Sequence, residues 1–224
     1  MPNSAAPSLV IHVVSDVVCP WCYIGKRHLD SALKSIRQRE GASVAVRWQP
    51  FELNPDLPPE GIDRRSYVVG KFGAARASSV YERVASVGRA SGIGLRFDLI
   101  DRQPNTRDAH RAIAWVQGQG LDASPLVERL FSAFFCEGRA LVGTDALVDL
   151  AAEAGIDAQP LRAHLAAVDG CAEVVAAEAR AHEMGVTGVP FMIFNGRVAV
   201  SGAQPSAVIL QAIEQAQKAT TEPA

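Results

Sequence analysis

Two cysteines separated by proline and tryptophan, Cys19-Pro20-Trp21-Cys22, follow the apolar run Leu9-Val10-Ile11-His12-Val13-Val14 and open a helical pattern. This junction constrains the fold more than any other feature, because it requires a buried strand to turn directly into a helix with sulfur at the corner. Proline fits the first helical position, where its missing N–H costs nothing. Cys19 then stands at the helix start, where unpaired N–H groups and the macrodipole favour a thiolate. That preference is worth about 0.3–1 kcal/mol, and up to ~2 in partly buried geometries. Two thiols so spaced can close a small ring or exchange electrons with another disulfide through a mixed-disulfide intermediate.

Plainer roles for the pair compete with this one. Free cysteine is often an inert core residue, but a core rarely needs Cys-Pro-Trp-Cys at a strand–helix junction. A zinc site completed by Cys136 and Cys171 lacks the second tight ligand pair that structural zinc usually shows. His12, His28, His164 and His182 have no metal-ligand spacing either, so no metal is expected. The segment Met1-Pro2-Asn3-Ser4-Ala5-Ala6-Pro7-Ser8 lacks a basic region followed by an apolar stretch, which predicts no signal peptide and a cytoplasmic protein. In a reducing compartment, cysteines point to catalysis before structural bridging.

The 224 residues are 48% hydrophobic and 21% charged with a net charge of −2, which suits a globular chain and gives no electrostatic footprint for nucleic acid. Apolar runs are too short to span a membrane. Val10 to Val14 reads as a strand, Pro20 to Glu40 as a helix ended by Gly41, and Val44 to Trp48 as a second strand. The Pro-rich stretch Asn54 to Gly61 breaks this βαβ piece off. From Ile62 to Gly185 helical patterns dominate: Ser79–Ala90, Thr106–Gly118, Ser124–Glu137, Thr144–Ala154, Pro160–Val168 and Cys171–Met184. Leu95-Arg96-Phe97 reads as a short extended piece. Val189 to Ser201, broken at Asn195-Gly196, is a strong hairpin signal, and Ala203–Lys218 closes the chain as a helix. Neither flanking piece can form a core alone, so the two are expected to make one α/β sheet domain interrupted by a helical insertion.

Strand–Cys-x-x-Cys–helix, helical insertion, then Val-Pro entering a hairpin resembles the DsbA-like branch of the thioredoxin superfamily. Within it, Ser15-Asp16-Val17-Val18-Cys19-Pro20-Trp21-Cys22-Tyr23-Ile24-Gly25 looks like the FrnE-type subgroup. So do Pro104-Asn105-Thr106-Arg107-Asp108-Ala109-His110-Arg111 and Gly185-Val186-Thr187-Gly188-Val189-Pro190-Phe191. The resemblance implies an α/β thioredoxin fold with a large all-helical insertion. Residues 8–58 and 186–221 would form the thioredoxin-like domain and 62–185 the insertion. It implies a thiol–disulfide oxidoreductase or isomerase with Cys19 as nucleophile and Cys22 as resolving thiol. Pro190 would be a cis-proline facing them, and Val189 would offer backbone groups to an extended substrate. The second C-terminal cysteine pair of some members has no counterpart here.

The same scaffold serves glutathione-dependent enzymes, the kappa-class transferases and 2-hydroxychromene-2-carboxylate isomerase, which carry serine in place of Cys19. Keeping both thiols ranks such an isomerase or small-molecule tailoring role second and a redox-independent chaperone third. The expected partners are therefore protein thiols and disulfides or a small organic substrate, with neither nucleic acid nor membrane, for a monomer or homodimer. No cofactor is expected beyond the redox pair itself, with glutathione admissible as a co-substrate. Trp21 either binds substrate or covers the disulfide. Asn105 either lines a cleft or caps a helix, and His110 is read as a packed histidine. Lys26 and Arg27 read as a solvated face, Cys136 as a buried inert thiol, and Cys171 as a helix start.

Overall fold

The structure, a computed structural model, describes residues 7–40 and 43–221; the expected helix terminator Gly41 lies outside them. In chain order the elements are β1 (Leu9–Ser15), α1 (Pro20–Glu40), β2 (Val44–Pro50), β3 (Ile62–Asp63), α2 (Arg64–Phe72), α3 (Ala74–Ala90) and β4 (Arg102–Gln103). Then follow α4 (Arg107–Gly118), α5 (Ser124–Glu137), α6 (Thr144–Glu153), α7 (Ala158–Ala166), α8 (Cys171–Glu183), β5 (Phe191–Phe194), β6 (Val198–Ser201) and α9 (Ser206–Thr221).

The main sheet has the order β2-β1-β5-β6, with β1 parallel to β2 and antiparallel to β5. Its period-two alternation sorts the side chains of β1 by face. Leu9, Ile11 and Val13 join Met192 and Phe194 in the main core, which also takes Leu29 and Ile36 of α1 and Ile209 and Ile213 of α9. Val14 turns the other way, into a smaller cluster with Phe51, Ala181 and Val186. The turn between β5 and β6 has positive φ at both Asn195 (48°) and Gly196 (66°), the primed geometry that hairpins favour. The free edge of β2 is partly closed by a side chain: the Gln117 amide accepts from Trp48 N at 2.8 Å and donates to its carbonyl at 2.9 Å.

The helical segments meet the sheet domain at β2, against which α4 and α8 pack, and through α1. Tyr23 is buried and stacks on Phe131 of α5, ring centroids 5.0 Å apart, next to Phe134 and Phe135. Thus the helix that carries the cysteines lies in one continuous core shared by the sheet and the helical segments.

Some boundaries differ from the sequence expectation. The Leu95-Arg96-Phe97 piece is not extended; Phe97–Leu99 is a 3₁₀ turn, fixed by Arg96 N bonding Phe135 O at 2.7 Å. The extended pairing is instead β3 with β4. Helix α2, not expected from the sequence, is started by Asp63, whose carboxylate accepts from Ser66 N at 2.7 Å. Helix α7 begins two residues before Pro160, because Asp157 caps it and a first-turn proline loses no bond.

Candidate active site

Asp16 builds the turn that presents the cysteines. Its side chain is fully buried, with Oδ1 accepting from Val18 N at 3.4 Å and Oδ2 from Leu53 N at 2.8 Å. Its carbonyl accepts from Cys19 N at 3.0 Å. A short acidic side chain that bonds its own following backbone favours a turn over continued strand. Here it also ties the strand–helix corner to the segment after β2. Cys19 is then the residue before α1, and Cys22 N and Tyr23 N both bond its carbonyl.

Trp21 is 38% exposed while Cys19 and Cys22 flanking it are 5% and 2% exposed. Cys19 Sγ donates to the carbonyl of Val189 at 3.7 Å, across 170 residues of sequence. The Val189–Pro190 peptide bond is cis. Val189 is half-buried and Pro190 buried, while Thr187 and Gly188 just before them are exposed. Burial pushes the Cys22 thiol well above the usual thiol range, and the Cys19 thiol beside it adds to this; the Asp16 backbone and Ser15 hydroxyl oppose it. The structure thus brings Cys19, Cys22, Trp21, Val189 and Pro190 together.

The fit of Pro190 depends on Gly25, one turn past Cys22. A Cβ at position 25 would lie 2.9 Å from Pro190 Cγ and 3.5 Å from Met192 Cε. In an open helix, glycine to alanine stabilises by about 1 kcal/mol. At this position overpacking costs about 1–3 kcal/mol, so the clash wins. We expect Gly25→Ala to lower the urea midpoint, and a raised midpoint would show that the proline is free to move.

Asn105 sits elsewhere in the bonding scheme. Its amide donates to the Pro55 and Leu57 carbonyls at 3.2 and 2.8 Å, and its Oδ1 accepts from Arg107 N at 2.9 Å. It closes the Pro-rich loop onto the start of α4, while Thr106 takes the cap position without a side-chain cap bond.

Sequence reasoning missed the charged groups under the site. Glu52 has a fully buried side chain whose Oε1 accepts two bonds at 3.0 Å from Arg107, and Glu52 N donates to Glu178 Oε1 at 2.8 Å. Burial raises the Glu52 carboxyl and Arg107 only partly offsets it. His110 is 4% exposed, with Nε2 3.5 Å from Asp16 Oδ1. Lys26 is not on a solvated face. It is 5% exposed and bridges Asp30 and Glu128 at 2.8 Å each, because α5 lays Glu128 across α1. Burial acts to raise the Glu128 carboxyl, but Lys26 and Arg27 outweigh it and hold it low. Asp16, Arg107 and His110 had a signal, their place in the quoted motifs; Glu52 and Glu128 had none.

Cys136 and Cys171 are half-buried and all four thiols are free. Burial raises the Cys136 thiol. Among the described residues no group of three or more His, Cys, Asp or Glu is placed to hold a metal ion. Nor is any helix there long and apolar enough to cross a membrane.

A thioredoxin-type sheet with a Cys-x-x-Cys helix and a helical insertion defines a DsbA-like scaffold. The chain belongs to the DSBA-like thioredoxin domain family, which it matches over residues 10–214. It is similar to the probable DsbA oxidoreductase SCO1869 from Streptomyces coelicolor, at 32% identity and a TM-score of 0.84 over 96% of this chain and 92% of that one. The uncharacterized protein YwbO of Bacillus subtilis (strain 168) is 28% identical over 93% of this chain and 97% of its own. A 2-hydroxychromene-2-carboxylate isomerase shares the fold at 15% identity, with a TM-score of 0.66 over 96% of this chain and all of that one. The shared fold alone therefore does not set the chemistry.

Proposed function

We propose that the protein is a cytoplasmic thiol–disulfide oxidoreductase in which Cys19 and Cys22 alternate between dithiol and disulfide. The observation that carries this reading is Cys19 Sγ held 3.7 Å from the Val189 carbonyl beside Pro190. A partner segment laid along Thr187-Gly188-Val189 brings its own sulfur against Cys19, with Trp21 covering the flank.

In the reductive direction the Cys19 thiolate attacks a substrate sulfur, forming the mixed disulfide and expelling the other substrate sulfur as a thiolate. Cys22 then attacks Cys19 Sγ, closes the Cys19–Cys22 bond and frees the second substrate thiol. A small thiol such as glutathione serves to reset the pair. The glutathione-dependent isomerase reading needs Asn105 to turn toward a bound organic substrate. Its amide is already bonded on three sides, so that reading stays second. The test is insulin reduction by dithiothreitol: the protein is expected to accelerate it, and an unchanged rate with folded protein overturns the proposal.

A further inference from the structure

The resolving step needs somewhere to put a proton. Cys22 is 2% exposed, so bulk water does not reach its thiol. Ser15 Oγ and His110 Nε2 are buried without a hydrogen-bond partner, as is Oε2 of Glu52, which faces His110. Ser15 is the last residue of β1, and its hydroxyl favours the Cys22 thiolate without closing a hydrogen bond to it. His110 belongs to α4, and its Nε2 is 3.5 Å from Asp16 Oδ1, beyond an ordinary hydrogen bond.

Ser15 and His110 line the same narrow cavity of about 20 Å³, with Val17, Trp48, Ile113 and Val127 among its walls. A water needs roughly 10–15 Å³ of such space and two to four polar partners. An unmade bond on a buried polar atom costs about 1–3 kcal/mol, and here two such atoms share one water-sized hole. Gln49, whose amide lies 3.4 Å from His12 Nδ1, also lines the cavity, so Ser15 and His110 are the lining side chains with unpartnered buried atoms to hold its occupant.

We propose that this cavity holds a single water bridging Ser15 Oγ and His110 Nε2, and that this chain carries the Cys22 proton to His110 during resolution. This rests on the disulfide-exchange reading above. As Cys22 Sγ attacks, the Cys19–Cys22 bond forms and the bond from Cys19 to the substrate sulfur breaks. The Cys22 proton passes through the Ser15 hydroxyl and the water to the imidazole. The departing substrate thiolate takes a proton from solvent. The imidazolium so formed faces the Asp16 carboxylate and the Glu52 carboxyl, whose other partner is Arg107. Ser15 and His110 are relay residues; neither touches substrate.

The two chemical steps separate in a reaction of the reduced protein with 5,5′-dithiobis(2-nitrobenzoate), in a Cys136→Ala/Cys171→Ala background. Attack by Cys19 releases one equivalent of thionitrobenzoate, and resolution by Cys22 releases the second. We expect His110→Gln to leave the first phase unchanged and to slow the second roughly 100-fold at neutral pH, the lower end of what a placed proton acceptor contributes. The pH profile of the second phase should differ between parent and variant, the variant's rate tracking hydroxide. Ser15→Ala, a milder change, should slow the same phase alone. Equal slowing of both phases, or a second phase unaltered in rate and pH profile in both variants, overturns the relay. A parent protein that never releases the second equivalent instead overturns the dithiol reading beneath it.

Discussion

Cys19→Ser is expected to abolish acceleration of insulin reduction, whereas Cys22→Ser is expected to lose turnover but accumulate protein covalently joined to its substrate. The asymmetry follows from the positions of the two sulfurs. Cys19 stands at the head of α1 with its Sγ turned to the Val189 carbonyl, on the side where Thr187 and Gly188 are exposed. A serine hydroxyl there can donate the same hydrogen bond but forms no bond to sulfur. Cys22 is 2% exposed and its thiol is held protonated by burial, so it makes a poor first nucleophile. Its competence appears only when Cys19 already carries a partner one helical turn away. Removing it leaves the first step intact and strands the mixed disulfide. Non-reducing electrophoresis after mixing each reduced variant with insulin, whose intact disulfides are what Cys19 attacks, separates the outcomes. Equal trapping by both variants, or activity surviving Cys19→Ser, would place the chemistry on another group.

The parts of this site that could be read from sequence are those made by neighbours in the chain. Pro20 as first helical residue, the strand before it and the Asn195-Gly196 turn are local decisions, governed by φ preferences and alternation. What joins those parts is not local. The contact between Cys19 and Val189 spans 170 residues and became legible only through the family resemblance at Val189-Pro190. Lys26 shows the limit most clearly. Its helical spacing and charge are those of a surface residue, and only the crossing of α5 brings Glu128 over it and removes it from water. Glu52 likewise follows β2 in an unremarkable loop, yet is buried by Arg107 and Glu178 from two different helices. Buried charge is set by which elements meet, and sequence spacing within one element carries no trace of it.

Arg111→Ala is expected to be the most destabilising single substitution outside the cores. The side chain is 3% exposed and its guanidinium makes five hydrogen bonds. Four of the acceptors are carbonyls of His164, Leu165, Ala167 and Asp169, at 2.9, 3.3, 2.5 and 2.8 Å, and the fifth is the Asp108 carboxylate at 2.7 Å. These carbonyls belong to the last turn of α7 and the link to α8, where helical geometry leaves oxygens without partners. The planar fork of one arginine satisfies them together and thereby fixes where α7 stops and α8 starts. Taking it away leaves several buried acceptors unpaired, at about 1–3 kcal/mol each when nothing relaxes. Partial opening of the link to water brings the total to roughly 3–5 kcal/mol, the usual cost of breaking a buried charged network. At about 2–4 °C per kcal/mol for a chain of this size, the thermal midpoint should fall by roughly 6–20 °C. Arg111→Lys retains the charge but offers three donors on a flexible stem, so it should recover only part of the loss. The damage should also be local. Limited proteolysis is expected to cut first between residues 166 and 171, while the β1–β5 pairing beside the cysteines stays protected. A midpoint within about 2 °C of the parent, less than 1 kcal/mol on the same scale, would mean that water replaces the guanidinium without cost and that the helix junction is held by its apolar contacts alone.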